Sequence, residues 1–145
     1  MIALACDHGG YALLQLVKAH LTAKGLAFED FGAFSEERCD YPVFAEAAAQ
    51  AVRTGKCDRG ILICSTGIGM SIAANKIPGV RCALCSESFS AKMTRLHNDS
   101  NMLALGAMIV GSGLALDIVD KFLETAFEGG RHARRVDMIT ALEKP

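Results

Sequence analysis

The 145-residue sequence lacks the features that mark membrane-spanning, secreted and nucleic-acid-binding proteins. No apolar run approaches the roughly 18–20 residues that a membrane-spanning helix needs. The first residues, MIALACDHGG, lack the basic region of a signal peptide. The formal net charge is only −1, which argues against nucleic acid and anionic membranes as partners. No linker, low-complexity segment or internal repeat interrupts the chain, so we expect a single domain over residues 1–145.

The six cysteines lack the spacing of a disulfide-rich scaffold. Four of them fall within apolar, strand-like runs: Cys6, Cys64, Cys82 and Cys85. We therefore expect reduced thiols in a cytoplasmic protein. Cys82 and Cys85 have the spacing of metal ligands, but residues three apart on a strand point to opposite faces, and no second pair completes a zinc site. The sequence predicts no metal.

What the sequence does contain is a regular alternation of strand and helix patterns. Apolar runs predict strands over residues 2–6, 26–32, 60–64, 80–85 and 102–111, the last interrupted at Gly106. Helical spacing predicts helices over 11–24, from Asp40 to Gly55, over 69–76 and 88–97, from Ser112, and from about 131. Such alternation with short connections predicts an α/β protein, a three-layer α/β/α Rossmann-like fold with a five-stranded parallel sheet.

A glycine-rich loop follows the third strand in the segment CSTGIGMSIAANK, residues 64–76. Gly67 and Gly69 allow a tight turn, and the helix that follows adds free amides and the positive end of its dipole, which together make an anion hole. No GK[ST] follows, so the loop is not a Walker A motif. Ile72 replaces the third glycine of a dinucleotide-binding loop. Met70 stands where a cysteine phosphatase would need arginine.

Parallel sheets place their functional sites at the carboxyl ends of strands. This rule nominates residues 7–10, residues 64–67 and the segment from Gly106 onward. A helix end stabilises a thiolate, so Cys64 can act as a nucleophile or as a proton-abstracting base. Taken alone, Cys64 also fits a small buried residue, and Asp7-His8 fits a simple turn. The adjoining glycine loop favours the functional interpretation of Cys64.

Two later segments carry polar side chains on helices. His97 and Asn98 end a helix, where they either complement the helix terminus or serve function. Arg131 and Arg135 share one helix face at i, i+4, and His132 lies beside them. Two guanidinium groups on one face can hold a phosphate dianion, while a solvated basic surface is the commoner outcome for such a run. The other motifs favour the phosphate interpretation.

Five segments together resemble the ribose-5-phosphate isomerase type B family, which includes the galactose-6-phosphate isomerase subunits. They span the chain: CDHGG (6–10), DYP (40–42), GILICSTGIGMSIAANK (60–76), CSESFSAKMTRLHNDSN (85–101) and EGGRHARRV (128–136). The resemblance implies an aldose–ketose isomerase of the pentose phosphate pathway, which interconverts ribose 5-phosphate and ribulose 5-phosphate. The reaction would pass through a cis-enediolate, with no metal and no cofactor.

The resemblance also implies roles for individual residues. Cys64 would move the proton between C1 and C2, and Thr66 with the loop amides would stabilise the enediolate. His97 would open the furanose ring with help from Asp7. The other substrate contacts implied are the hydroxyl-binding Tyr41 and Asn98, the loop positions Ser65, Gly67, Gly69 and Met70, and the phosphate-binding His8, Arg131 and Arg135.

Family members are homodimers or dimers of dimers with shared active sites. We therefore expect His97 and Asn98 to reach Cys64 of the partner subunit, and the helix from about 131 to contribute to the phosphate site and the dimer. Two positions depart from the family pattern: Ser65 replaces a glycine, and Met108 replaces a basic residue that helps bind phosphate. They leave two alternatives open, an isomerase of another aldose phosphate, such as allose 6-phosphate, or a non-catalytic sugar-phosphate-binding protein.

Overall fold

The computed structural model describes residues 1–143, which form five strands and six helices. The strands are β1 (Ile2–Cys6), β2 (Phe28–Asp30), β3 (Arg59–Cys64), β4 (Cys82–Leu84) and β5 (Met102–Gly106). The helices are α1 (Tyr11–Ala23), α2 (Tyr41–Arg53), α3 (Ile68–Ala74), α4 (Ser88–Asn98), α5 (Ser112–Glu124) and α6 (Arg131–Ala141). No helix among these residues is both long enough and apolar enough to cross a membrane.

The strands form one parallel sheet in the order β2-β1-β3-β5-β4. Helices cover both faces, which confirms the predicted three-layer α/β/α architecture. On one face the strands present large side chains such as Leu4 and Ile61 to α1 and α5. On the other face Ala3, Ala5 and Ala104 pack against α2 and α3. The small residues on this second face let α2 approach the sheet closely through its own alanines (Ala45, Ala48 and Ala49).

Element ends differ from the sequence-based expectations mainly at the sheet edges. β2 and β4 have three residues each, fewer than the predicted 26–32 and 80–85. An edge strand has only one neighbouring strand, so fewer of its residues gain ladder hydrogen bonds. β5 ends at Gly106, where the sequence already suggested an interruption. Ser112 was also expected to cap the helix that follows it, which is wrong, because Gly111 occupies the N-cap and Ser112 is the first helical residue.

Candidate active site

Three loops meet at the carboxyl edge of the sheet, because β1, β3 and β5 are neighbours. The Asp7 amide donates to the Ile63 carbonyl at 3.2 Å, which ties the end of β1 to β3. The Ala107 and Met108 amides donate to the carbonyls of Cys64 at 2.8 Å and Ser65 at 2.9 Å, which tie the β5 loop to the same place. The three segments that the strand-end rule nominated are therefore in direct contact.

Cys64 lies at the centre of this edge, on the face of the sheet that α2 and α3 cover. Its side chain is 5% exposed. The Gly67 amide donates a hydrogen bond to Cys64 Sγ at 3.1 Å, so the loop that follows the thiol folds back onto it. The contact fixes the sulfur beside the residue that precedes α3. The amide of Ile68 donates to Thr66 Oγ1 at 3.3 Å, which fixes the Thr66 side chain at the start of α3.

The glycines of the loop are required by its shape. Gly67 has φ of 78°, and a Cβ added there would lie 2.8 Å from the backbone carbon of Leu105. A Cβ at Gly69 would lie 2.5 Å from Cζ of Tyr41. The ring of Tyr41, the first residue of α2, therefore packs directly on the loop beside Cys64. This contact brings the expected hydroxyl-binding tyrosine to the thiol's own loop.

Asp7 and His8 are held by different partners in the loop after β1. Asp7 is 6% exposed, and its Oδ1 accepts a hydrogen bond from the Gly10 amide at 3.1 Å. His8 Nδ1 accepts from the Cys39 amide at 3.3 Å. A ring nitrogen that accepts from an amide carries no proton, so the neutral imidazole of His8 carries its proton on Nε2. His8 can therefore donate Nε2–H to an anion. Cys39, which no sequence motif singled out, sets this tautomer.

Three further positions of the carboxyl edge clarify the sequence-based assignments. Met70 is fully buried in the core, so only its backbone can face a substrate. Ser65 does not have a positive φ, so replacing glycine with serine leaves the loop backbone unstrained. Its hydroxyl packs against Gly9, where an added Cβ would lie 2.4 Å from Ser65 Oγ. Met108 is 81% exposed at the rim next to Ser65.

His97 and Asn98 lie at the other end of the sheet. α4 begins after the carboxyl end of β4 and ends just before β5 starts, so its 11 residues run back along the sheet for about 15 Å. Arg131 and Arg135 accompany them, since His132 of α6 stacks on His97. We call Asp7, His8, Tyr41 and residues 64–70 the carboxyl-edge group. We call His97, Asn98, Arg131 and Arg135 the amino-end group.

A buried arginine fixes the end of α4 that carries His97 and Asn98. Arg95 is 2% exposed, and its Nη1 donates to Asp99 Oδ1 at 2.9 Å and to the Ser100 carbonyl at 2.7 Å. Its Nε donates to the Thr125 carbonyl after α5 at 3.2 Å. Asp99 has φ of 46°, a left-handed conformation that a non-glycine residue adopts only when neighbouring contacts hold it. The sequence offered no signal for this clamp, because two of its acceptors are backbone carbonyls.

All six cysteines are free, as the sequence predicted. Burial raises the pKa of the Cys6 thiol to about 12 and that of Cys85 to about 11. Cys82 and Cys85 belong to the cores on opposite faces of the sheet, which confirms that they cannot ligate one ion together. The hydrogen bond from the Gly67 amide distinguishes Cys64 from these inert thiols.

The family model described as Ribose/Galactose Isomerase matches residues 2–139. The chain belongs to this family. Ribose-5-phosphate isomerase B of Escherichia coli (strain K12) is 51% identical over 143 residues, which cover 99% of this chain and 96% of that protein. The match confirms the family resemblance inferred from the five motif segments.

Solved structures of this isomerase family share the fold throughout. The ribose-5-phosphate isomerase B structure from Clostridium thermocellum superposes with a TM-score of 0.97 at 52% identity, covering 98% of this chain and 96% of the other. A structure of the Mycoplasma genitalium enzyme with bound ribulose-5-phosphate has a TM-score of 0.93 at 40% identity, covering 98% and 95%. The five-stranded parallel sheet is therefore the architecture of this isomerase family.

Proposed function

We propose that this protein is an aldose–ketose isomerase that interconverts ribose 5-phosphate and ribulose 5-phosphate. The observation that carries the proposal is Cys64, placed at the carboxyl edge with its sulfur hydrogen-bonded to the Gly67 amide. Its relatives in Escherichia coli and Clostridium thermocellum, named ribose-5-phosphate isomerase B, support the same substrate pair. The isomerisation moves one proton between adjacent carbons, so a single base can perform it.

The carboxyl-edge group supplies the parts that such a proton transfer needs. Cys64 takes the proton from C2 of the open-chain aldose, and the electrons move onto O1 to give a cis-enediolate. Thr66 and the loop amides that follow Cys64 at the start of α3 stabilise the negative oxygens. The proton of the C2 hydroxyl moves to O1, Cys64 returns its proton to C1, and the C2 carbonyl of the ketose forms. The sulfur starts and ends the cycle in the same protonation state.

The amino-end group would complete this site from a second copy of the chain. Within one chain, the run of α4 separates His97 from Cys64 by the length of the sheet. Arg131 and Arg135 project from α6 at that same end, and both are exposed. We propose a homodimer in which His97 of one protomer opens the furanose ring held by Cys64 of its partner, while the arginines join His8 in holding the phosphate.

Exposed apolar side chains along the β4 side of the sheet support an association between copies. Leu84 on the edge strand β4 and Phe89 on α4 are 44% and 69% exposed, and Leu142 after α6 is 82% exposed. A groove of about 650 Å³ lies beside Asn98, lined by Ile139 and Leu142. Exposed apolar surface of this kind favours a protein–protein contact. The groove does not include Cys64, so it serves association better than catalysis.

Replacing the proposed base tests the function directly. We expect Cys64→Ala to abolish conversion of ribose 5-phosphate to ribulose 5-phosphate, because no other side chain replaces the sulfur. Cys82→Ala is the matched control, since Cys82 lies on β4 with β5 between it and β3, and it should retain wild-type turnover. Wild-type rates in Cys64→Ala would remove Cys64 from the base role. An inactive wild-type protein would refute the assignment itself.

Met108 favours a second candidate, an isomerase of another aldose phosphate such as allose 6-phosphate. Its uncharged side chain is 81% exposed on the rim beside Ser65, where it leaves room and supplies no charge to a phosphate. Values of kcat/KM across five- and six-carbon sugar phosphates decide between the two substrates.

The non-catalytic alternative predicts tight binding without exchange of the substrate C2 proton with solvent. We further infer a cytoplasmic location, which the six free thiols support.

A further inference from the structure

His132 is a buried residue of the first turn of α6, and its ring stacks on that of His97. The ring centroids are 4.1 Å apart, and the planes differ by 12°. His132 is 5% exposed, whereas the His97 side chain is 40% exposed. His97 therefore presents one face to solvent and the other to a fixed platform. The stack sets the plane of the ring that opens the substrate in the proposed function.

Both rings direct Nε2 toward the same carboxylate oxygen of Glu128. The distances to Glu128 Oε2 are 3.8 Å from His97 and 3.9 Å from His132. Nε2 of His132 is buried and has no hydrogen-bond partner among residues 1–143. The Glu128 amide donates to the Leu96 carbonyl at 3.1 Å, so the carboxylate is anchored next to His97. Glu128 is therefore placed to balance the positive charge that a proton on either ring would bring.

The charges around the pair oppose a second proton. Desolvation, followed by His97 and Arg131, lowers the pKa of His132, while Glu128 acts in the opposite direction and Arg135 adds a smaller repulsion. A lowered pKa means that folding favours the neutral ring. This contribution to the docking of α6 is complete above pH about 6.5 and is lost as the pH falls through the lowered value. At neutral pH, His132 is therefore uncharged beneath His97.

A metal ion is the competing interpretation of this cluster. One ligand atom from each of His97, Glu128 and His132 lies within 4.8 Å of the others. A tetrahedral zinc ion requires the lone pairs of both imidazoles to converge on it. Lone pairs lie in the ring planes, and two nearly parallel stacked rings point them in nearly parallel directions. Two positive charges 4.1 Å apart would repel, so the stack favours a single proton on the pair over an ion bound by both rings.

We propose that His132 and Glu128 are positioning residues for ring opening, which hold the His97 ring in place and restrict the stacked pair to one proton. This inference rests on the proposed function. When the furanose ring opens, the C1–O4 bond breaks and O4 takes the proton from His97. The proton of the C1 hydroxyl passes to Asp7 of the partner's site, and solvent then restores both groups. His132 does not touch the substrate.

Two substrates separate ring opening from the rest of the reaction. Ribose 5-phosphate is mostly a closed furanose, whereas ribulose 5-phosphate carries its phosphate on the oxygen that would close a five-membered ring and stays open. We expect His132→Ala to lower kcat/KM for ribose 5-phosphate at least tenfold, and to lower the exchange of the C1 protons of ribulose 5-phosphate with solvent, which needs no ring opening, by less than threefold. His132→Phe keeps a stacking ring and should recover most of the loss. His20→Ala, a histidine on α1, is the matched control.

A pH profile of the reaction tests the part of the proposal that restricts the stacked pair to one proton. We expect Glu128→Gln to shift the alkaline limb of kcat/KM for ribose 5-phosphate to lower pH by about half a unit, because ring opening needs a protonated His97 and the carboxylate no longer favours that proton. Equal losses of turnover and of C1 proton exchange, an unmoved alkaline limb, or an unaffected His132→Ala enzyme would each overturn the proposal. Inhibition by Zn²⁺ that vanishes in His132→Ala would replace it with a metal site.

An NMR titration keeps this inference separate from the proposed function, because it needs no substrate. In the intact protein, the imidazole ¹⁵N signals of His132 should titrate below pH 6.5, and Glu128→Gln should move the midpoints of both His97 and His132. Independent midpoints for the two rings would refute the shared proton even if the isomerase activity is confirmed. Coupled midpoints in a protein without isomerase activity would support the pair and refute the substrate.

Discussion

At the scale of single residues, Met108 places an uncharged side chain at the rim that Cys64 and Ser65 share. We expect Met108→Arg to add a charged hydrogen bond to a substrate phosphate, worth about 1.5–3 kcal/mol. The KM for ribose 5-phosphate should then fall about tenfold or more in steady-state kinetics. Ile109→Arg, at the neighbouring exposed residue, controls for a general effect of positive charge. Equal gains in both variants would rule out a specific contact from position 108.

Residue identities at the carboxyl edge were predictable because neighbours in sequence remain neighbours there. Cys64, Thr66 and the loop glycines lie within one turn, so their relation follows from local chemistry and the strand-end rule. Cys39 and Glu128 were not predictable, because each acts on a residue about 30 positions away in the sequence. The hydrogen bond from Cys39 to His8 and the approach of Glu128 to His97 exist only after α2 and α6 are packed.

At the scale of elements, the C-terminal end of α4 depends on Arg95. We expect Arg95→Ala to lower the free energy of unfolding by about 3 kcal/mol, because it leaves buried carbonyl groups and Asp99 without their donor. Urea unfolding measures the loss, and Lys92→Ala, an exposed change on the same helix, is the control. The same variant should lower turnover of ribose 5-phosphate, because His97 and Asn98 lose their fixed orientation. A loss below 1 kcal/mol would contradict the clamp.

The central elements followed from sequence more closely than the edges. β1, β3 and β5 carry nearly continuous apolar runs, because helices cover both of their faces. The edge strands β2 and β4 are partly exposed and shorter than their apolar runs, since hydrogen bonding to a single neighbour decided their ends. Gly25 and Gly55 end α1 and α2 with φ of 70° and 79°, as their positions predicted.

At the scale of the whole molecule, the carboxyl-edge group and the amino-end group of one chain lie at opposite ends of its sheet. We expect Cys64→Ala and His97→Ala each to be inactive alone on ribose 5-phosphate. When the two are unfolded together and refolded, half of the dimers should be mixed, and each mixed dimer holds one intact site. About a quarter of wild-type activity should therefore return. Mixtures that remain inactive, although mixed dimers are detected by mass spectrometry, would contradict a shared site.

The two faces of the sheet differ in how much sequence change they can accept. Ala3 and Ala5 of β1 pack against the alanines of α2, and α2 begins with Tyr41 against the site loop. Any larger residue on this face displaces α2 and moves Tyr41 with it. The opposite face packs long side chains such as Leu14 and Phe122, which can exchange volume among themselves. Evolutionary drift and engineering for heat resistance should both concentrate on the α1 and α5 side, where catalysis does not limit the choice.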